Sequence, residues 1–358
     1  MLPYFTEQWG NPSSVYRFAS EPTRAIESSR AQIAEALGAN SAELIFTGSA
    51  TESINSAIHS AKMRFPRKKH IVTSAVEHSA TLAYCEHLER DYGFDVTRIS
   101  VDKNGMLIVD ELSAAIRDDT VLVSLIWANN ETGVVWPIKE LAAICRERGV
   151  LLHVDGVQAV GKIPVDFSSI AADFLSFSGH KLGCPKGVGG LLVAEPDKFV
   201  PLIFGGKQED GHRGGTENVA FIAGLSKAIE LRTSSAAKEG WRKVRELREN
   251  FEAQLLKHLP TAVVNGVGVD RLPNTVSLFL PGIDSDAAVT YMDQKGICVS
   301  SGSACLESAI APSHVIYAMT QSHEIASETL RISLGLDSTE AELKQLTKEL
   351  VSLVEVYA

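Results

Sequence analysis

Short apolar segments that read as strands alternate with helical segments from about residue 25 to residue 200. The helical segments carry apolar residues at helical spacing, and two of them stop at a glycine, Gly38 and Gly93. This alternation predicts an α/β fold with a mostly parallel sheet that is covered by helices on both faces. The predicted strands are residues 43–47, 69–74, 94–99, 121–127, 150–154, 173–177 and 190–194.

Beyond residue 216 the pattern changes. A long helical tract ends before Pro260, and shorter strand and helix patterns then follow up to a closing helix that starts near residue 339. This order is typical of a smaller α+β domain. The sequence therefore predicts a large domain over residues 1–235 and a small C-terminal domain over residues 236–358.

Composition narrows the class of protein. The net charge of -10 argues against nucleic acid or an anionic membrane as the main partner. No apolar run approaches the ~20 residues of a membrane-spanning helix, and no signal-peptide pattern opens the chain. The five cysteines show no CxxC spacing, so neither a disulfide framework nor a metal site is expected. Unpaired cysteines of this kind indicate a reducing cytoplasm.

Reactive side chains follow four of the predicted strands, at the ends where ligands of open α/β sheets bind. The turn after strand 43–47 opens a helix whose free N–H groups, at Ala50 and Thr51, suit a phosphate. Three other strands lead to an imidazole, a carboxylate and an amine, which belong to His78, Asp155 and Lys181. A phosphate cradle, an imidazole, a carboxylate and a lysine are the parts that a pyridoxal phosphate site requires.

Each of these residues also has an ordinary structural interpretation. Thr51 and Asp155 could be helix caps, and His78 could be a helix-terminal histidine without a function. Lys181 could belong to a surface turn. As a set, however, they have clear chemistry. Lysine forms Schiff bases, a carboxylate keeps a pyridine nitrogen protonated, and imidazole moves protons near neutral pH.

Several short motifs occur along nearly the whole chain in the order of one enzyme family. They are GNPSS at 10–14, ATES at 50–53, EH at 77–78, NNETG at 129–133, HVD at 153–155, SGHK at 178–181, RGGTEN at 213–218, SSGSAC at 300–305 and RISLG at 331–335. With these motifs the chain resembles cysteine desulfurases of the NifS/IscS type. These are class V, fold-type I enzymes that depend on pyridoxal phosphate, with a large cofactor-binding domain and a smaller C-terminal domain.

The resemblance implies a role for each matching residue. Lys181 matches the lysine that holds pyridoxal 5'-phosphate covalently, Cys305 the nucleophile, and His78 the residue that stacks on the ring and assists proton transfer. Other residues match the partner of the ring nitrogen (Asp155), the donor to the phenolic oxygen (Gln158), the phosphate ligands (Thr51, Ser178 and His180) and the groups that hold substrate (Asn130 and Arg331). Thr216 matches a phosphate ligand that comes from the neighbouring subunit, which implies a homodimer.

The implied reaction removes sulfur from L-cysteine, releases L-alanine and leaves a persulfide on Cys305. The stretch 306–312 after Cys305 is expected to swing, so that the sulfur reaches an acceptor protein of iron–sulfur cluster assembly or thio-modification. Three alternatives stay open. A selenocysteine lyase and a class V aminotransferase share most cofactor residues. A truncated, inactive scaffold is the third, because relatives carry a strand and an Ala-Thr-Thr turn ahead of the segment that matches residues 1–4.

Overall fold

The computed structural model describes residues 1–302 and 312–357. Cys305 and most of the segment predicted to swing therefore lie outside the described residues. The elements of the first part are, in chain order, α1 (Leu2–Thr6), α2 (Ser20–Ala36), β1 (Leu44–Thr47), α3 (Ala50–Arg64), β2 (His70–Ser74), α4 (Ser79–Tyr92), β3 (Asp95–Ile99), α5 (Val109–Ala115), β4 (Thr120–Ile126), α6 (Ile138–Glu147), β5 (Leu151–Asp155), α7 (Phe167–Ile170), β6 (Phe174–Ser178), β7 (Gly189–Val193) and α8 (Val219–Thr233).

Strands β1 to β7 form one sheet in the order β1-β7-β6-β5-β4-β2-β3. Neighbouring strands from β6 to β3 are parallel, whereas β7 is antiparallel to both β6 and β1. The predicted mostly parallel sheet is confirmed. Because β7 runs against both of its neighbours, β1 points the same way as β6. The carboxyl ends of β1, β2, β4, β5 and β6 therefore lie at one edge of the sheet.

Helices cover both faces of this sheet. On one face α2, α6 and α8 contribute to the largest buried core, which includes Ile33, Leu141 and Leu225. A separate core that includes Ile58 of α3 and Leu88 of α4 covers the other face. Every residue of β2, β4 and β6 is buried, as expected for strands with helices on both sides.

The second part of the chain builds a smaller antiparallel sheet. Its four strands have the order β10-β11-β9-β8, and each neighbouring pair is antiparallel. The elements are α9 (Ser235–His258), β8 (Val263–Val264), β9 (Thr275–Phe279), α10 (Ser285–Gln294), β10 (Ser300–Ser301), α11 (His314–Thr320), α12 (His323–Ser327), β11 (Thr329–Ser333) and α13 (Glu340–Tyr357).

This smaller sheet has a hydrophobic core of its own. The core runs from Trp241 of α9, through Leu278 of β9, to Leu353 of α13. Two later helices pack elsewhere, since Val315 of α11 and Ala326 of α12 belong to the core of the large sheet. The division of the chain at residue 235 stays a prediction.

Neither a membrane span nor a metal cluster occurs in the described part of the chain. None of its helices combines the length and the apolar character that crossing a bilayer requires. Within residues 1–302 and 312–357, no three His, Cys, Asp or Glu side chains come together in a way that could hold a metal ion. Among those residues Cys85, Cys145 and Cys184 are free and buried, and Cys298 is free and exposed.

Candidate active site

The side chains predicted at the strand ends converge around Lys181. This lysine lies on a 3₁₀ turn, Gly179–Leu182, directly after β6. Burial lowers the pKa of His78 and of His180, and the positive charge of Lys181 lowers both further. The same charge opposes the effect of burial on Asp155. Lys181 is thus close enough to all three side chains to act on their charges.

Asp155 is the last residue of β5, and it is only 3% exposed. Its Oδ1 accepts a hydrogen bond from the N–H of Val157 at 2.9 Å. Burial raises the pKa of Asp155 to about 6, although this hydrogen bond and the charge of Lys181 lower it. A buried carboxylate is costly unless a cation compensates it, so Asp155 suits a positively charged ring nitrogen.

His78 precedes α4 and is its N-cap. Its Nδ1 accepts a hydrogen bond from the N–H of Ala80 at 3.1 Å, so in the neutral ring the proton is on Nε2. Because burial and Lys181 both lower the pKa of His78, the neutral ring predominates at neutral pH. His78 thus lies at the helix terminus, as one interpretation of the sequence had it, and the cap hydrogen bond fixes the tautomer that faces the site.

A tight junction forms at the predicted phosphate cradle. A Cβ at Gly189 of β7 would lie 2.8 Å from the carbonyl carbon of Ser49 and 2.9 Å from the carbonyl oxygen of Phe177. The absence of a side chain there lets the start of α3 approach the end of β6. The cap of α3 is Ser49, whose Oγ accepts from the N–H of Glu52, so the capping interpretation of Thr51 is wrong.

Donors for an anion lie on both sides of this junction. Ala50 and Thr51 are the first residues of α3, where helix N–H groups have no partner within the helix. On the other side, Oγ of the buried Ser178 lies 2.8 Å from Nδ1 of His180. Together the helix terminus, the hydroxyl and the imidazole form a set of donors that fits a phosphate group.

The two predicted substrate residues also meet. Nη1 of Arg331, in β11, donates to the carbonyl oxygen of Asn130 at 3.1 Å. The side-chain oxygen of Asn130 is buried and has no hydrogen-bond partner among the described residues. A guanidinium beside an unused acceptor can bind a ligand that carries both a carboxylate and a donor group.

Gln158 lies in the turn after β5. Its Oε1 accepts a hydrogen bond from Nζ of Lys162 at 2.5 Å.

Thr216 is exposed and belongs to the segment after β7. Arg213 ties this segment to α3 through an ion pair with Glu52 at 2.9 Å. Glu52 in turn accepts from the N–H of Gly48 at 2.8 Å.

Comparison with known proteins agrees with this geometry. The family model of the class-V aminotransferases matches residues 1–346. The chain belongs to the class-V aminotransferase family. It is 42% identical over 355 residues to a cysteine desulfurase of Nostoc sp., which covers 99% of this chain and 88% of the relative.

Two solved structures extend the comparison. A NifS-like protein has a TM-score of 0.91 at 32% identity, over 99% of this chain and 94% of its own. SspA in complex with cysteine has a TM-score of 0.81 at 34% identity, over 93% of this chain and 92% of its own. The predicted family and the predicted fold type are therefore confirmed.

Class-V aminotransferases use pyridoxal phosphate, and the described residues fit that group. The Gly189 junction leaves no room for a side chain next to the donors, the carboxyl group of Asp155 is buried, and the Asn130 side chain has an unused acceptor. A bound phosphate would accept from the donors, a cationic ring would compensate the Asp155 carboxylate, and a polar substrate would donate to the Asn130 side chain.

The sequence analysis missed two contacts of this family member. Glu131 is buried and accepts a hydrogen bond from Oγ of Ser313 at 2.5 Å, next to Gly302. Nε2 of His314 lies 3.0 Å from the carbonyl oxygen of Glu77, near His78. The one available signal was the serine at 313, which precedes an apolar helical stretch and is its N-cap.

Proposed function

We propose that the protein is a pyridoxal phosphate-dependent cysteine desulfurase, which takes the sulfur from L-cysteine and releases L-alanine. The observation that carries this proposal is the convergence of Lys181, Asp155 and His78 at one edge of the sheet. It occurs in a chain that is 42% identical to a cysteine desulfurase over 99% of its length. An amine, a buried carboxylate and a neutral imidazole are the side chains that the cofactor requires.

The cofactor would be held by residues of both walls of the site. Nζ of Lys181 would hold it covalently, Asp155 would pair with the ring nitrogen, and His78 would stack on the ring. Gln158 would donate to the phenolic oxygen. Pyridoxal phosphate, when bound, supplies an electron sink for the electrons released at the substrate carbons. The proposed phosphate ligands are Ala50, Thr51, Ser178, His180 and, from the neighbouring subunit, Thr216.

The substrate would bind at the Asn130 end of the site. The guanidinium of Arg331 suits the α-carboxylate of L-cysteine, because its planar donors match the two oxygens. Asn130 would use its side-chain acceptor, which has no partner among the described residues, for the polar groups beside that carboxylate. SspA, whose solved structure contains cysteine, supports an amino acid of this type.

Three groups of the chain carry the proposed chemistry. The amine of Lys181, assisted by the neutral imidazole of His78, is the base that removes the α-proton. The thiolate of Cys305 attacks the substrate sulfur, so an S–S bond forms and the C–S bond breaks. The electron pair of that bond stays on carbon, which takes up protons to become L-alanine. Cys305 is left as a persulfide.

The persulfide would then pass to an acceptor protein, either in iron–sulfur cluster assembly or in thio-modification. We place the enzyme in the cytoplasm as a homodimer without direct contact to nucleic acid or membrane. The net charge of -10 and the free cysteines among the described residues support this placement.

The decisive test compares two variants with the wild-type enzyme loaded with pyridoxal phosphate. Lys181→Ala should lose both the cofactor fixed by borohydride and all formation of alanine from L-cysteine. Cys305→Ala should keep the fixed cofactor and the visible absorbance but form no persulfide. If Cys305→Ala still desulfurates, or if wild type only transfers amino groups, the proposed function is wrong.

Mixing inactive variants tests the homodimer. In a mixed dimer of Lys181→Ala and Thr216→Ala subunits, one site would have both an intact lysine and an intact partner threonine. We expect activity to return to about a quarter of wild type after random exchange of subunits, since half of the dimers are mixed and each has one intact site. No recovery after proven exchange would show that Thr216 serves its own subunit.

A further inference from the structure

Lys162 lies four residues after Gln158 in the turn that follows β5. Its Nζ donates to Oε1 of Gln158 at 2.5 Å. Burial, together with the positive charges of Lys181, Arg331 and Arg232, lowers the pKa of Lys162 to about 7. Burial and these cations disfavour an ammonium at this position, and the hydrogen bond to Gln158 offsets part of that cost.

The backbone of this turn is held firmly. Gly161 has a φ of +77°, and its carbonyl oxygen accepts from Nε1 of Trp241 at 2.6 Å. A Cβ at Gly161 would lie 2.5 Å from Cδ2 of Leu182, the residue after the proposed cofactor lysine. The N–H of Lys162 donates to the carbonyl oxygen of Ala159 at 3.0 Å. The position of Lys162 is therefore set by Trp241, in the core of the smaller sheet, and by the turn that carries Lys181.

The contact determines which way the amide of Gln158 faces. A lysine ammonium only donates, whereas a glutamine amide has an accepting oxygen on one side and a donating NH₂ group on the other. With Oε1 on Lys162, the NH₂ group must face away from it. The flipped amide would place two donors against each other, next to further positive charge.

We propose that Lys162 is a positioning residue that locks the amide of Gln158, so that its NH₂ group is presented to the phenolic oxygen of the cofactor. This inference rests on the proposed function, because it assigns that oxygen to Gln158. A donor at the phenolic oxygen disfavours the gain of a further proton beside it. The lock thereby lowers the pH at which the visible absorbance of the bound cofactor titrates.

The test uses the enzyme loaded with pyridoxal phosphate, without substrate, and follows its visible absorbance against pH. Lys162→Met keeps the length of the side chain and removes the donor, so the titration midpoint should rise by about one pH unit. Gln158→Leu should raise it in the same direction. The midpoint of the double variant should be no higher than that of Gln158→Leu alone, because Lys162 acts through that amide.

Two further variants keep the test interpretable. Lys162→Arg retains donors and should restore most of the wild-type midpoint, and it is informative even if Lys162→Met does not fold. Lys344→Met removes an exposed lysine of α13 that pairs with Glu340, and it should change nothing.

An unchanged midpoint in Lys162→Met, or additive shifts in the double variant, would overturn the inference. In the additive case Lys162 would act on the cofactor directly through its charge. If wild type itself takes up no cofactor, the proposed function fails instead, so the two failures are distinguishable.

Discussion

The cofactor end and the substrate end of the site are built in different ways. At the cofactor end, Asp155 and Ser178 are the last residues of the neighbouring strands β5 and β6, and His78 follows β2 by four residues at the same edge of the sheet. At the substrate end, contacts join distant parts of the chain. Arg331 and Asn130 are 201 residues apart, and Ser313 and Glu131 are 182 residues apart.

This difference has a mechanical consequence. The cofactor end depends on the large sheet, whose strands are buried on both faces and cannot shift without exposing that core. The substrate end depends on how β11 and the start of α11 are seated against the turn that holds Asn130 and Glu131. Changes at the substrate end should therefore weaken substrate handling while leaving the cofactor in place.

The largest effect should come from removing the carboxylate at the cofactor end. Asp155→Asn should lower kcat/KM for L-cysteine by about 10³-fold, because the ring nitrogen loses the partner that keeps it charged. Asp173, at the opposite edge of the same sheet, accepts from the N–H of Leu152 at 2.8 Å and gives a matched control. Asp173→Asn should change stability only. Equal losses of activity in both variants would mean that Asp155 is merely structural.

The second effect tests the independence of the substrate end. Arg331→Met should raise KM for L-cysteine by about 100-fold, because the guanidinium no longer binds the carboxylate. The visible absorbance of the bound cofactor should not change. Arg331→Lys should recover only part of the loss, since an ammonium lacks the planar donor pair. A loss of colour in Arg331→Met would show that the two ends are not independent.

The same difference explains what could be predicted from the sequence. Asp155 and Lys181 come at the ends of apolar segments that predict strands. Because the carboxyl ends of parallel strands lie at the same edge of the sheet, the sequence predicts that the two side chains are close together. Arg331 and Asn130 were assigned only through the family motifs. Nothing local in the sequence relates Ser313 to Glu131 in space, since the two residues are 182 positions apart. Such contacts depend on how complete elements pack, which no short pattern encodes.

Glu77 allows the burial of the cofactor end to be measured directly. Burial raises its pKa from 4.5 to about 8, although hydrogen bonds from Ser74 and Ile126 lower it. The folded protein therefore holds a proton that the unfolded chain releases, and stability falls as pH rises from about 4.5 to 8.

Glu77→Gln removes that titration. The variant should be about 4 kcal/mol more stable than wild type at pH 8 and similar to it at pH 4.5. Urea unfolding at the two pH values measures this difference, with Glu340→Gln on the exposed face of α13 as a control. If the variant is destabilised equally at both pH values, the carboxyl group is needed for packing, and its charge does not destabilise the folded protein at pH 8.

The smallest effect separates a helix cap from the contact that seats the substrate end. Oγ of Ser313 accepts from the N–H of Ile316 at 3.0 Å and also donates to Glu131, whereas Ser322 caps α12 and accepts from Ile325 at 3.2 Å. Ser322→Ala should cost about 1 kcal/mol of stability, the usual loss for an N-cap, and Ser313→Ala about 2 kcal/mol, because it also removes the bond to the buried Glu131. Only Ser313→Ala should also raise KM for L-cysteine, by a few fold. Glu131 lies next to Asn130, whose carbonyl oxygen accepts from Arg331. Without the bond between Glu131 and Ser313, this turn holds Arg331 less firmly. If both variants raise KM alike, the effect comes from lost stability, and the substrate end does not depend on the Glu131 contact.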